Sequence, residues 1–218
     1  MPRPSRPLLS RKSIVATSLE LIDRDGLATF SMPGLASAMS VRAASLYHHF
    51  RDKAEILSEV ARYMVSQTAI PARPSRDEWQ EWFVALAANL RDVLLEHPHA
   101  APLMLQFPPR DILVAVTENS AAVLVEYTDF PSYVHILILD TLEKLTLGAA
   151  LSEVMKAPEK RGLIYPHVDH AEHPILTRGL ASNPWTVDEI FRESVRALLA
   201  GVATRFEQPR VTHSATAT

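Results

Sequence analysis

The 218-residue sequence has no cysteine, only six glycines and 7% aromatic residues. Without thiols there is no disulfide framework, no thiolate metal site and no cysteine nucleophile, a composition that fits a reducing compartment. No glycine-rich phosphate loop and no Gly-x-Ser-x-Gly elbow occur, so P-loop and serine-hydrolase chemistry have no footing. No apolar run is long enough to cross a bilayer. The longest, Tyr133 to Leu151, is broken by Asp140, Glu143 and Lys144, whose burial in hydrocarbon would be costly. The first seven residues, Met1 to Pro7, carry Arg3 and Arg6 but lead into no apolar stretch, so no secretory signal is expected. These absences predict a soluble cytoplasmic protein with no membrane partner and no cofactor.

A basic excess is also missing from the chain as a whole, whose formal net charge is -3. Divided at residue 68, however, the charge is uneven. Residues 1–68 carry nine Lys/Arg against six Asp/Glu, whereas residues 69–218 carry thirteen against nineteen. An anionic partner for the first segment follows if the asymmetry is more than chance.

Apolar residues recur at helical spacing almost throughout, and no strand-like alternation interrupts them. Val15, Leu19 and Ile22 mark a first helix that stops at Gly26. Ser31 caps a short second helix reaching about Met39, with Pro33 tolerated in the first turn, where its missing N–H costs little. A third helix covers about Arg42 to Phe50, and a fourth opens at Asp52-Lys53-Ala54-Glu55. The break Ile70-Pro71-Ala72-Arg73-Pro74 separates a domain at 1–68 from a second at 69–208. Capping-box patterns at Ser75-Arg76-Asp77-Glu78 and Thr186-Val187-Asp188-Glu189 start two helices of the second domain, with others expected near 100–106, 110–128 and 131–154. Met155 to Pro184 reads as an irregular connection, either a lid or partly disordered, helical only around Ile175 to Leu180. A tail from residue 209 to 218 is expected to be disordered.

Function is concentrated in Leu27 to Lys53. Leu35, Ala36 and Met39 of one short helix face Val41, Leu46 and Phe50 of the next across a tight turn, the minimal core of a helix-turn-helix. With Leu46 and Phe50 turned inward, the third helix offers Arg42, Ala43, Ser45, Tyr47 and His48 on its outer face. Such a face is polar and slim enough to enter a major groove.

The run Ser40-Val41-Arg42-Ala43-Ala44-Ser45-Leu46-Tyr47-His48-His49-Phe50-Arg51-Asp52-Lys53 resembles the helix-turn-helix signature of the tetracycline-repressor (TetR) family. The resemblance covers roughly residues 10–65. His97-Pro98, Phe107-Pro108-Pro109 and Leu147-Gly148-Ala149-Ala150-Leu151 are similar to the effector-binding domain of the same family. Two departures stand out. Ser40 occupies a turn position where the family usually has glycine, implying a mildly strained backbone there, and Pro33 and Gly34 weaken the second helix. The resemblance implies an all-α fold with an N-terminal three-helix DNA-binding domain and a C-terminal helical domain for ligand binding and dimerisation. Arg42, Ala43 and Ser45 would then reach bases or nearby phosphates of a double-stranded operator, Tyr47 and His48 would contact backbone or base edges, and Lys53 would hold a phosphate. His49 either joins them or packs beneath the turn. Arg11 and Lys12, in the first turn of a helix, suit an anionic partner or plain solvation, and Arg3 and Arg6 suit phosphates or a minor groove if they are not merely an extension.

For the second domain, Trp79, Phe83, Met104, Phe107 and Tyr127 supply apolar walls, and His97, His99 and His135 are polar groups among them. That combination suits a small, largely apolar effector with one or two polar groups, although the aromatic and Met positions, Trp82 and Tyr133 included, also suit ordinary core. The helix at 131–154 is apolar on more than one face and that at 186–207 offers Ile190, Val195, Leu198, Leu199 and Val202; pairing both with their symmetry mates points to a two-fold homodimer and a palindromic operator. The fourth helix would transmit ligand binding to DNA. The stretch Tyr165 to His173 gathers three imidazoles and two carboxylates. A hydrolytic metal site would use such ligands, but no His-Glu-x-x-His helix accompanies them, so a solvated loop or pocket lid is expected instead and no metal site is assigned. A helix-turn-helix protein without an effector is the remaining alternative. Repression, and not catalysis, is the expected activity.

Overall fold

The computed structural model describes residues 9–206. The basic arm at Arg3 and Arg6 and the tail at 209–218 lie outside the described residues. Among those described, the chain is all-helical, running α1 (Arg11–Asp25), α2 (Met32–Ala38), α3 (Ala43–Tyr47), α4 (Lys53–Ser66), α5 (Trp79–Glu96), α6 (Leu103–Gln106), α7 (Arg110–Tyr127), α8 (Ser132–Val154), α9 (Pro174–Ser182) and α10 (Val187–Phe206). No helix among the described residues is long and apolar enough to cross a membrane.

Local chemistry sets most of the boundaries. Ser10 caps α1 by accepting from the Ser13 amide at 3.1 Å, and Gly26, at φ +85°, ends it by donating to the Ile22 carbonyl at 2.8 Å. A Cβ at such a φ is strained, so glycine suits the exit. Ser31 caps α2 through the Gly34 amide, and Asp52 caps α4 through the Glu55 amide at 2.8 Å. The two capping boxes form as the spacing predicts, Ser75 with Glu78 and Thr186 with Glu189. The third helix is shorter than its pattern suggests. Its final turn tightens, with both His49 and Phe50 donating to the Leu46 carbonyl, so Phe50 stays inward beyond the helix end.

Two apolar clusters hold these elements. The first gathers Ile14, Ile22, Leu35, Leu46, Phe50 and Ile56 of the first four helices and their turns. It also takes in Leu94, Leu103 and Met104 from α5 and α6, and Ala150, Leu151 and Val154 from the end of α8. The second joins the start of α5 to α7, α8 and α10 through Phe83, Val123, Ile138, Phe191 and Val195. α5 is the central strut, packed most extensively on α8 and then on α10. Its contacts wrap so far round that even Arg91 is 3% exposed, bonded to Asp188 of α10 at 3.0 Å. Burying so many aliphatic side chains at about 1.5–3 kcal/mol each is what opposes the entropy of ordering the chain.

Candidate nucleic-acid interface and ligand cavity

The first four helices present α3 to solvent. Between α2 and α3 the chain turns through Ser40 at φ +55°, and the Val41 amide bonds back to the Ala36 carbonyl at 3.0 Å. Ser40 therefore adopts the left-handed backbone expected of a residue standing in a glycine position. Leu46 and Phe50 are buried in the first cluster, which turns the opposite face of α3 outward. Arg42 and His48 are exposed, Ala43, Ser45 and His49 are half-buried, and Tyr47 is 54% exposed. A phenol that open is not held by packing, and its hydroxyl is available to a partner. Two basic residues brace this face. Arg11 lies 4.0 Å above the Phe50 ring, donates to the His49 carbonyl and pairs with Glu55 at 3.0 Å. The Arg51 amide and the Arg11 guanidinium together hold the Glu55 carboxyl below its ordinary value. Lys53 donates to the Phe30 carbonyl at 2.5 Å and lies 5.5 Å from that ring's centre. Arg11 thus fastens the end of the third helix to α1, and Lys53 fastens the start of α4 to the turn before α2.

A cavity of about 100 Å³ opens among α4, α5, α7 and α8. Val65 of α4 and Thr68 just beyond it form one wall, and α5 contributes Phe83, Leu86, Ala87 and Leu90. α7 lines it with Leu113, Val116, Thr117 and Ser120, and α8 with Leu139, Leu142, Glu143 and Thr146. The lining is apolar apart from hydroxyls and one carboxylate. The Thr68 hydroxyl is buried with no hydrogen-bond partner, whereas Ser120 donates to the Val116 carbonyl at 2.9 Å. Because Val65 lies in the last turn of the helix that begins at Lys53, one rigid element joins the cavity to the base of α3.

Residues 14–60 match the family described as bacterial regulatory proteins, tetR family, and residues 70–206 match the tetracyclin repressor-like C-terminal domain. The chain belongs to the TetR family. It is a transcription regulator with a helix-turn-helix DNA-binding domain, and that family is regulatory, not enzymatic. An HTH-type transcriptional regulator of Saccharopolyspora erythraea is 37% identical over 99 residues, a match covering 45% of this chain and 42% of that one. The crystal structure of a possible TetR family regulator from Streptomyces coelicolor A3(2) superposes with a TM-score of 0.74 at 27% identity, covering 90% of this chain and all of the other. The Streptomyces coelicolor TetR family protein ActR, solved in complex with actinorhodin, shares the fold with a TM-score of 0.72 at 21% identity over 92% of this chain and 99% of its own.

Within this TetR fold, the eight residues singled out in sequence as a pocket do not converge. Phe83 alone of them lines the α4–α5–α7–α8 cavity. Trp79 packs edge-on against Phe83 and Phe130 in the second cluster, while Met104 and Phe107 join the first. Tyr127 lies under the Arg73 guanidinium, 5.9 Å from its ring centre. His97 and His99, on the link from α5 to α6, are both taken by α1: the His97 Nδ1 pairs with the Asp23 carboxylate at 2.6 Å, and the His99 Nδ1 lies 2.9 Å from the Asp23 carbonyl oxygen. They tie the DNA-binding segment to the second domain. His135 is buried against Thr128 at 3.3 Å, and that burial lowers its pKa from 6.5. The sequence reading passed over the cavity's hydroxyls and Glu143. The available signal was spacing, since Thr117 with Ser120 and Glu143 with Thr146 are polar pairs three apart, a spacing that shares one helix face.

The histidine-rich connection does other work. The His167 Nδ1 lies 3.2 Å from Lys160 Nζ, and the His170 Nδ1 lies 3.1 Å from the Thr177 hydroxyl. Asp169 accepts from the amides of Ala171 and Glu172. Among the described residues no three His, Asp or Glu side chains gather as metal ligands. The connection borders an open trough of about 1290 Å³ beside α8 and α10, into which Ile175, 86% exposed, faces with Leu176 and Tyr165.

Proposed function

We propose that this TetR regulator is a cytoplasmic homodimeric repressor that holds a palindromic double-stranded operator through α3 and releases it when a small, largely apolar effector enters the cavity. The observation that carries the reading is the span of α4, from Lys53 beside α3 to Val65 at the cavity wall. A ligand that parts α7 from α5 displaces α4, and a tilt of α4 changes the spacing of two recognition helices on DNA. Arg42, Ala43, Ser45, Tyr47 and His48 reach the groove, with His49 and Lys53 at its edge. The chain divides at residue 68 into a DNA-reading part and a ligand-binding and dimerising part, linked by 69–75 and joined through one apolar cluster.

Dimerisation supplies the second half-site. On α8, Tyr133 is 67%, Ile136 65% and Leu137 44% exposed. On α10, Ala197, Ala200 and Gly201 are exposed small residues on one face, which lets a second helix approach closely. Pairing α8 and α10 with their symmetry mates buries both surfaces in a four-helix interface. Releasing DNA about a hundredfold needs an effector that favours the DNA-incompetent dimer by about 2.7 kcal/mol.

The test is selection of bound fragments from random duplex DNA, followed by fluorescence anisotropy on the recovered operator while a compound library is titrated. A palindromic consensus, and compounds whose releasing effect disappears when Phe83 or Leu142 is replaced, support the proposal. Releasing compounds indifferent to both substitutions refute the cavity's part in it, and a consensus without two-fold symmetry refutes the dimeric arrangement.

A further inference from the structure

From the polar groups that line the cavity we infer that the effector is a hydrophobic amine, bound as its ammonium ion against Glu143; this rests on the cavity being the effector site. Glu143 is the one ionisable side chain in the lining, and no Lys, Arg or His accompanies it. It makes no ion pair or hydrogen bond among the described residues. One turn earlier on the same helix Asp140 holds Lys144 at 2.6 Å, whereas Glu143, an exposed side chain at the cavity, pairs with no cation among the described residues. The next cation on α8 is therefore already committed, and the carboxylate at the cavity is left over.

The remaining polar groups favour the same ligand. Ser120, whose proton goes to the Val116 carbonyl, offers a ligand lone pairs only, and the buried, unpartnered Thr68 hydroxyl has lone pairs for an ammonium besides a proton of its own. Lone pairs plus a carboxylate match an ammonium group, which carries donors and no acceptor. A carboxylate ligand would meet repulsion from Glu143 and find no cation. The apolar remainder, with Phe83 as its aromatic member, takes the hydrocarbon part. An apolar cavity of about 150 Å³ admits benzene, so the cavity in this state, about 100 Å³, falls short of one ring, and even a one-ring amine must spread α5 from α7.

Three one-ring probes isolate the charge: 2-phenylethylamine, 2-phenylethanol and phenylacetate, each titrated calorimetrically into the full chain at neutral pH and constant ionic strength. The amine is expected to bind about threefold to fivefold more tightly than the alcohol, the gain of an ion pair to an exposed carboxylate, with phenylacetate weakest. In Glu143→Gln the amine-to-alcohol ratio is expected to fall to about one. Thr117→Trp, a change at an exposed lining position that fills the mouth, is expected to abolish binding of all three. Amine and alcohol binding equally in the wild type, or a ratio that survives Glu143→Gln, overturns the amine assignment while leaving the cavity reading intact. Failure of every probe to bind, or binding that persists in Thr117→Trp, overturns the cavity reading and the assignment with it.

Discussion

Replacing Lys53 by Met separates two jobs that fall on one side chain. Its ammonium is bonded to the Phe30 carbonyl at 2.5 Å and half-buried, and it is also proposed to meet an operator phosphate. The methionine keeps the aliphatic stem over Phe30 and removes the charge and the donor. Hydrogen bonds to a charged group contribute about 1.5–3 kcal/mol when shielded, and partial exposure reduces this to roughly 1–2 kcal/mol. For a chain of this length that lowers Tm by about 3–6 °C. DNA affinity carries a different signature. Each phosphate neutralised contributes about 0.9 to the slope of log K against log salt, so a dimer losing two such contacts loses about 1.8. Between 50 and 200 mM salt, the wild-type advantage is then expected to shrink by roughly twelvefold. Urea denaturation measures the first effect, and operator anisotropy at four or five salt concentrations, well below the unfolding transition, measures the second. A variant with reduced stability but an unaltered salt slope would show that Lys53 only braces the turn, and would refute its phosphate contact.

Ser40→Gly relieves a left-handed φ of +55° and is expected to stabilise the chain by up to about 1 kcal/mol; an unchanged or lower urea midpoint contradicts the strain. Burial lowers the pKa of His135 from 6.5, so the unfolded state takes up a proton first as pH falls, and the wild type loses stability below about 6.5. His135→Gln removes that loss, and a stability difference between the two that is constant from pH 8 to 5 would rule the effect out. Ile136→Glu places like charges across the proposed two-fold interface, and light scattering at micromolar concentration is expected to find monomers; an intact dimer moves the interface elsewhere.

Much of this architecture is legible in the sequence because its signals are local. Ser10, Gly26, Ser31, Asp52, Ser75 and Thr186 mark helix boundaries within a residue or two, since caps act on neighbouring amides. The inward turn of Leu46 and Phe50 follows from four-residue spacing alone. The cavity is less legible, for a physical reason. α5 is surrounded by α4, α7, α8 and α10, so its aromatic residues are buried on several sides, and apolar character there does not mark the side that stays open. Whether a histidine serves a ligand or a carboxylate is equally remote from local pattern: the partner of His97 is Asp23, 74 positions earlier.

The bond from Asp23 to His97, with the shared apolar cluster around it, bears on the building of hybrid regulators. Exchanging DNA-reading heads between relatives invites a splice at the 69–75 link. Such a splice would leave the His97 imidazole facing whatever the donor head carries in place of Asp23, and would seat foreign side chains against Leu94, Leu103 and Leu151. A hybrid that binds the new operator yet ignores the effector is the expected symptom of a mismatched seam. Grafting the outward residues of α3 alone, on this chain's own α1 and α4, keeps the seam intact and is the sounder route to new operator specificity.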